Sequence, residues 1–292
     1  MTNMAGSHDL GSPTLCRLKL RLELRALREE AGMTAAEVAR TVKWSTAKMT
    51  RLETGEGWVQ PTDVEALCRL YGASAEQTEM LSSYALVTKT HRDEWKSKEY
   101  QEVILPGFSA YLGLEGAATH VRTYESEFVP GLLQTEAYMR ELLRHTRRPK
   151  DEIDRQVEIR LKRQAILKRE VDPARLSVVL NEAVLKRVVG SPGLMREQLE
   201  YLADGATTAN IKLQVVPFRA GFHPAMIGSF TVLSFDDPKV GPIVHIGALG
   251  SATVIDDRER VRIYEETWSD LTGTAESHDR SSRMIKQAAK EL

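Results

Sequence analysis

Residues 32–56 read GMTAAEVARTVKWSTAKMTRLETGE, and the spacing inside this stretch decides the fold of the N-terminal part of the chain. Thr34 stands three residues before Glu37. That is the pattern of a capping box, in which the Thr hydroxyl takes an orphan amide of the new helix and the Glu side chain reaches back. A short helix is expected to run to Thr41, and Ser45 can cap a second one ending near Glu53. About three residues join the two, the form of a helix-turn-helix whose second helix can enter a major groove. Val38, Ala39, Val42, Met49 and Leu52 are expected to hold the pair together, with Ala39 small where the helices cross. The outer side of the second helix then offers Thr46, Ala47, Lys48, Thr50 and Arg51.

Working outward, Leu20, Leu24, Leu27 and Ala31 recur at helical spacing, and Gly32 suits a left-handed cap behind them. Downstream, Gly55 and Gly57 break the second short helix, and Thr62 to Glu65 repeats the capping-box pattern. Val64, Leu67, Cys68 and Tyr71 give that helix an apolar face, and a fifth helix carries Met80, Leu81, Tyr84 and Ala85. Residues 14–90 therefore read as an all-α, five-helix head. Residues 1–13 lack a basic start and an apolar core, so they read as a disordered leader rather than a signal peptide. The polar stretch HRDEWKSKEY, 91–100, reads as a linker.

The pattern changes over 101–292. Helices are expected at 112–127, 134–146, 151–170, 192–204, 257–272 and 279–291, and strands at 176–180, 211–218, 229–235, 243–246 and 252–255. Long helices followed by clustered strands predict a helix-rich α+β domain with a mainly antiparallel sheet, and an α+β class for the whole chain.

Composition excludes several function classes. The chain of 292 residues is 42% hydrophobic and 28% charged, as expected of a globular protein. No apolar run approaches the roughly 18 residues of a membrane span, which points to a cytoplasmic protein. Cys16 and Cys68 form no CxxC pair and read as two buried thiols, not a zinc or redox site. A net charge of −1 hides an uneven distribution: Arg40, Lys43, Lys48 and Arg51 fall within 40–51 with no acid among them, a stretch that can meet phosphate. Arg147, Arg148 and the basic helix over 155–169 carry interleaved acids, which favours a solvated, salt-bridged face.

The 32–56 stretch, with its RLETG ending and a helix after Pro61, resembles the repressor-type helix-turn-helix of the xenobiotic-response-element (XRE) family, which includes phage repressors; the likeness covers residues 20–72. By position and chemistry, Thr46, Ala47, Thr50 and Arg51 are candidates for base edges, and Lys43, Ser45 and Lys48 for phosphates. Ala35 stands where many members carry Gln. Lys43 stands where a turn Gly is common, and since Lys is disfavoured in a left-handed turn, a different turn geometry is expected.

FVPGLLQTEAYMRELL (128–143), VEIRLKRQAIL (157–167) and LQVVPFRAGFHPAMIGSFTVLSF (213–235) resemble the domain, DUF5753, of actinobacterial regulators of the WhiJ type. The resemblance spans about residues 100–280 and implies an antitoxin-like transcription factor with a small partner carrying a DUF397-type domain.

Little in the sequence suggests catalysis. GFSAY (107–111) approaches a nucleophile elbow but ends in Tyr, and there is no HExxH, Walker loop or GxGxxG. No enzyme, cofactor or metal site is expected. His223, in a Gly/Pro loop, and His245, in an apolar strand, are candidate partner or ligand contacts, each with a simpler structural reading. The Asp236-Asp237 and Asp256-Asp257 pairs read as turn or helix N-cap residues. The expected function is a nucleoid-associated repressor that binds a double-stranded DNA operator as a homodimer, its two recognition helices roughly 34 Å apart. Three alternatives stay open: an antitoxin that neutralises a small toxic partner, a ligand sensor with a pocket in the 211–255 sheet, and an enzyme fused to a DNA-binding head.

Overall fold

The computed structural model describes residues 12–54, 59–91 and 93–292, and the chain separates into two compact units. The first comprises residues up to Ser97 together with Asp237–Val240, and the second the remainder. The expected leader, 1–13, lies outside the described residues up to position 11; Ser12 and Pro13 already belong to the first helix, Ser12 accepting from the Leu15 amide and Pro13 opening the helix.

Five helices build the first unit: α1 (Pro13–Glu30), α2 (Ala35–Thr41), α3 (Thr46–Thr54), α4 (Pro61–Tyr71) and α5 (Ala75–Thr90). Cys16, Leu20, Leu24, Val38, Met49, Leu67, Cys68 and Leu81 meet in one core. Both cysteines are fully buried thiols outside any disulfide, and burial pushes them up from the ordinary value, to about 11 for Cys16. Thr34 and Glu37 form the expected capping box. Thr62 does not cap α4. That helix starts one residue earlier, at Pro61, whose missing N–H would be an orphan there in any case. A capping box that the sequence reading did not identify, Ser74 with Gln77, starts α5. The expected linker is not bare: it holds a 3₁₀ turn at Glu94–Lys96, and buried Asp93 accepts a 2.5 Å hydrogen bond from the Thr14 hydroxyl.

The second unit contains α6 (Lys98–Gln101), α7 (Phe108–Glu115), β1 (His120–Glu125), α8 (Glu136–Arg144), α9 (Lys150–Gln164), β2 (Arg175–Asn181), α10 (Ala183–Lys186), α11 (Pro192–Gly205), β3 (Ile211–Val216), β4 (Phe230–Ser234), β5 (Ile243–Ala248), β6 (Ser251–Ile255), α12 (Arg258–Thr274) and α13 (His278–Lys290). The strands form one sheet in the order β3-β2-β1-β4-β5-β6. It is mixed: β1 pairs parallel with β2 and β2 with β3, while the β1–β4, β4–β5 and β5–β6 pairings are antiparallel.

One expectation fails at the centre of this sheet. Residues 112–127 are not a single helix. The helix closes at Glu115, and HVRTYE is strand β1. The helix formers of 112–118 pulled the reading forward, whereas Val121, Thr123 and Tyr124 supply the β-branched and aromatic side chains that suit a strand covered on both faces. The two faces differ in chemistry. Tyr124, Phe230, Val232, Val244 and Ile255 pack with Trp268 and Leu271 of α12 in an apolar core. The opposite face carries the row Thr123–Thr231–His245, aligned by strand register.

Candidate nucleic-acid interface

The helix-turn-helix rests on a short run of backbone geometry. Val42 closes α2, Lys43 turns left-handed at φ 57°, and the Trp44 amide donates to the Ala39 carbonyl at 2.8 Å. Ser45 then caps α3, its Oγ accepting from the Lys48 amide at 3.1 Å. The sequence suggested that Lys43 would alter the turn. Instead Lys43 adopts the left-handed conformation a glycine would take, at a steric cost of about 1–2 kcal/mol. Val38, Ala39, Met49 and Leu52 are all buried beneath this turn, as the hydrophobic spacing requires.

With Met49 and Leu52 turned inward, helical periodicity turns Thr46, Ala47, Thr50 and Arg51 outward, and all four are exposed. Lys43 and Ser45 are exposed beside them. The Ser45 Oγ accepts at the cap, which leaves its O–H free to donate outward. Lys48 is different. Its Nζ lies 3.0 Å from Asp63 Oδ2 and 3.6 Å from the centre of the Trp44 ring. This lysine fastens α3 to α4, and its charge is already compensated. Among the described residues the Lys43 ammonium and the Arg51 guanidinium have no such partner.

The base of α3 is held by a contact that sequence reasoning missed. Glu53 Oε1 accepts from Arg28 Nε at 2.5 Å, and Arg28 Nη1 donates to the Met33 carbonyl at 2.7 Å. The pair is largely buried and ties α3 to α1 and to the entry of α2. An arginine at a position facing the core of α1, flanked by Leu24 and Leu27, was the available signal.

The helix-turn-helix domain family matches residues 19–81, and the family described as a domain of unknown function, DUF5753, matches residues 108–287, more than half of the chain. The chain belongs to the DUF5753 family. Neither a curated protein nor a solved structure matches it. Its helix-turn-helix head makes it a DNA-binding regulator.

The remaining sequence candidates lie in the DUF5753 unit, where the structure keeps them apart. His223 is buried edge-on against Tyr124, ring centres 5.7 Å apart, and burial lowers its pKa from the ordinary value. His245 lies on the opposite sheet face, stacked on Tyr111 at 3.9 Å. Burial, then the nearby Arg163 charge, pushes its pKa down to about 4, so it is neutral at pH 7. Asp257 caps α12 and Asp237 accepts from the Lys239 amide in a turn. Among the described residues, no cluster of His, Cys, Asp and Glu could hold a metal, and no helix is long and apolar enough to cross a membrane.

Proposed function

We propose that this protein is a sequence-specific transcriptional repressor of the XRE type that binds a palindromic operator as a homodimer and is not an enzyme. The observation that carries the reading is the outer face of α3, where Thr46, Ala47, Thr50 and Arg51 stand exposed over a buried Met49 and Leu52. The Thr hydroxyls and Arg51 supply donors for base edges, and the Ala47 methyl suits a thymine methyl. Lys43 and Ser45 flank them as phosphate contacts that set register. Lys48 joins them as a phosphate contact only by sharing its charge with Asp63.

The DUF5753 unit supplies the protein contacts in this reading. The loop between β3 and β4 exposes Phe218, Phe222, Met226 and Ile227, with Phe222 at 85% and Ile227 at 97% exposure. Large apolar side chains gathered in one loop and left in water suit a protein-binding surface. They support self-association, capture of a small DUF397-type protein, or both, with partner binding lowering operator affinity.

Selection of duplexes from a random pool by the full chain tests the proposal. The expected result is a palindrome with half-sites about one helical turn apart, bound well above random DNA. Failure to enrich any sequence, or binding to the enriched duplex unaffected by Arg51→Ala, overturns it.

A further inference from the structure

The DUF5753 unit holds a cavity of about 800 Å³ between the threonine face of its sheet and helices α7, α8 and α9. Its volume falls in the range of small-molecule sites. Much of the wall is apolar, from Val103, Leu105, Val121, Phe128, Leu132 and Ile159. The floor is the polar row Thr123, Thr231 and His245, in which the two threonine hydroxyls lie 3.0 Å apart. Nε2 of His245 is buried without a hydrogen-bond partner.

Helix α9 lays four residues along one stripe of this wall: Gln156, Ile159, Arg160 and Arg163. The two arginines differ in their surroundings. Arg163 is neutralised by Glu115, with Nε to Oε2 at 2.7 Å and Nη2 to Oε1 at 3.0 Å. Burial acts to lower the Arg163 pKa, but the Glu115 carboxylate outweighs it and the group is held above its ordinary value. Tyr111 also donates to Glu115, and the Arg163 guanidinium sits over the Phe108 and Tyr111 rings. Arg160 has only a neutral acceptor, Gln134 Oε1 at 2.9 Å, with Gln134 oriented by its own bond to the Val129 carbonyl. No carboxylate among the described residues pairs with it. Burial, then the like charge of Arg163, pushes its pKa down to about 10, which still leaves a cation at pH 7. Arg160 is half-buried on the cavity wall with no counter-charge, so its free donors are available to an anion that arrives from outside.

We propose that this cavity is a binding site for a small organic acid with an apolar body and a single anionic head, the head received by Arg160 and the body by the apolar wall. Gln134 holds Nη1 of the guanidinium, and Arg160 lines the cavity with its other N–H donors not taken by any residue among those described. Charge-assisted hydrogen bonds are the strong kind. Arg163 and Glu115 cancel, and the Glu125 carboxyl, pushed up to about 7 by burial, is neutral at lower pH, so below pH 7 the cavity accepts one negative charge and not two. His245, neutral and with an open ring nitrogen, is placed beside the threonine row for a neutral polar group on the body. This site is separate from α3, and its test involves no DNA.

The test uses the full chain with a fluorescent probe of this class, 1-anilinonaphthalene-8-sulfonate, titrated to saturation and then displaced by decanoate or by decanol. The expected result is one bound probe per chain, displaced by decanoate at a concentration about ten- to a hundredfold lower than by decanol. Arg160→Met, which keeps side-chain length and removes the charge, should abolish the preference while decanol displacement is unchanged. Arg160→Lys should restore part of it. Equal displacement by acid and alcohol in the parent protein, displacement by neither, or an Arg160→Met variant that still prefers decanoate would overturn the proposal.

Discussion

The outer face of α3 and the inner stripe of α9 are built from similar residues and stand in opposite surroundings. Arg51 lies in water with no partner among the described residues, and this costs almost nothing because water solvates it. Arg160 lies half-buried in the DUF5753 unit with one amide for company, and its partial desolvation makes the missing counter-charge more costly than at Arg51. An unpaired cation on a surface is therefore uninformative until a motif surrounds it, as the helix-turn-helix surrounds Arg51. An unpaired cation in a cavity is informative by itself. The rest of α9 shows the ordinary fate of such side chains: Arg155 pairs with Glu102 and Asp151, and Lys162 with Glu158.

The largest expected effect tests the orientation of α3. Met49→Asp puts a carboxylate where the parent has a fully buried thioether and should cost about 4 kcal/mol or more, unfolding the head in a thermal melt followed by circular dichroism. A variant that melts like the parent would show that Thr46 and Arg51 do not form the outer face, and the comparison would lose one side.

Next comes Arg51→Ala. On a selected operator it should cost about 1–3 kcal/mol of affinity with no change in melting temperature. Anisotropy titrations on operator and on random duplex separate two roles. A loss confined to the operator marks a base contact, and an equal loss on both marks a phosphate contact.

How well each region could be read in the sequence follows the same division. The head announces itself through local chemistry: Thr34 with Glu37, Ser45 before α3, Gly32 in a left-handed cap at φ 67°. Each is a short-range rule that survives without knowledge of the rest of the fold. The strands from β2 to β6 were legible as apolar runs between turn residues, but β1 was not. Its neighbours favour helix, and its pairing partners, in β2 and β4, lie more than 50 residues away. The cavity was still harder to see. Arg160 and Arg163 sit in VEIRLKRQ among acids that pair with other bases, and residue counting treats them all as one solvated face. The only local signal was position: both share the stripe of Ile159, which is buried. Lys48 shows the reverse case, a basic residue read as outward-facing that Asp63 and Trp44 hold in place.

Glu125 sharpens the comparison from the cavity side. It lines the cavity with no paired cation among the described residues, and burial pushes its carboxyl up to about 7 despite a hydrogen bond from Ser229 and the Arg163 charge. A carboxyl whose folded-state pKa lies above its unfolded value of about 4.5 binds its proton more tightly when folded. Its contribution is fully present below pH 4.5 and is lost as pH rises to about 7. Glu125→Gln should therefore melt at the parent's temperature near pH 4.5 and be up to about 2 kcal/mol more stable at pH 8. His245 and His120, with pKa values pushed down to about 4, titrate alike in both proteins and cancel in the difference. The same carboxylate should weaken decanoate binding above pH 7, and the variant should lose that slope. A variant no more stable than the parent at pH 8 would mean that the cavity is wet enough to solvate the charge, and Arg160 would lose its claim to a counter-ion.

The smallest effect lies in the turn, where the head departs from its own local rules. Lys43 holds a left-handed backbone at φ 57° that favours glycine, yet it is exposed beside α3 and its ammonium has no partner among the described residues. Lys43→Gly relieves the steric cost and adds freedom to the unfolded chain, for a net gain of about 0.5–1 kcal/mol. If Lys43 touches phosphate, the same substitution should weaken binding equally on operator and random duplex and lower the slope of affinity against salt by about one. Higher stability with weaker, less salt-dependent binding would show strain retained for contact with DNA. Higher stability with unchanged binding would leave Arg51 and Ser45 to position the helix and make Lys43 a cost without a return.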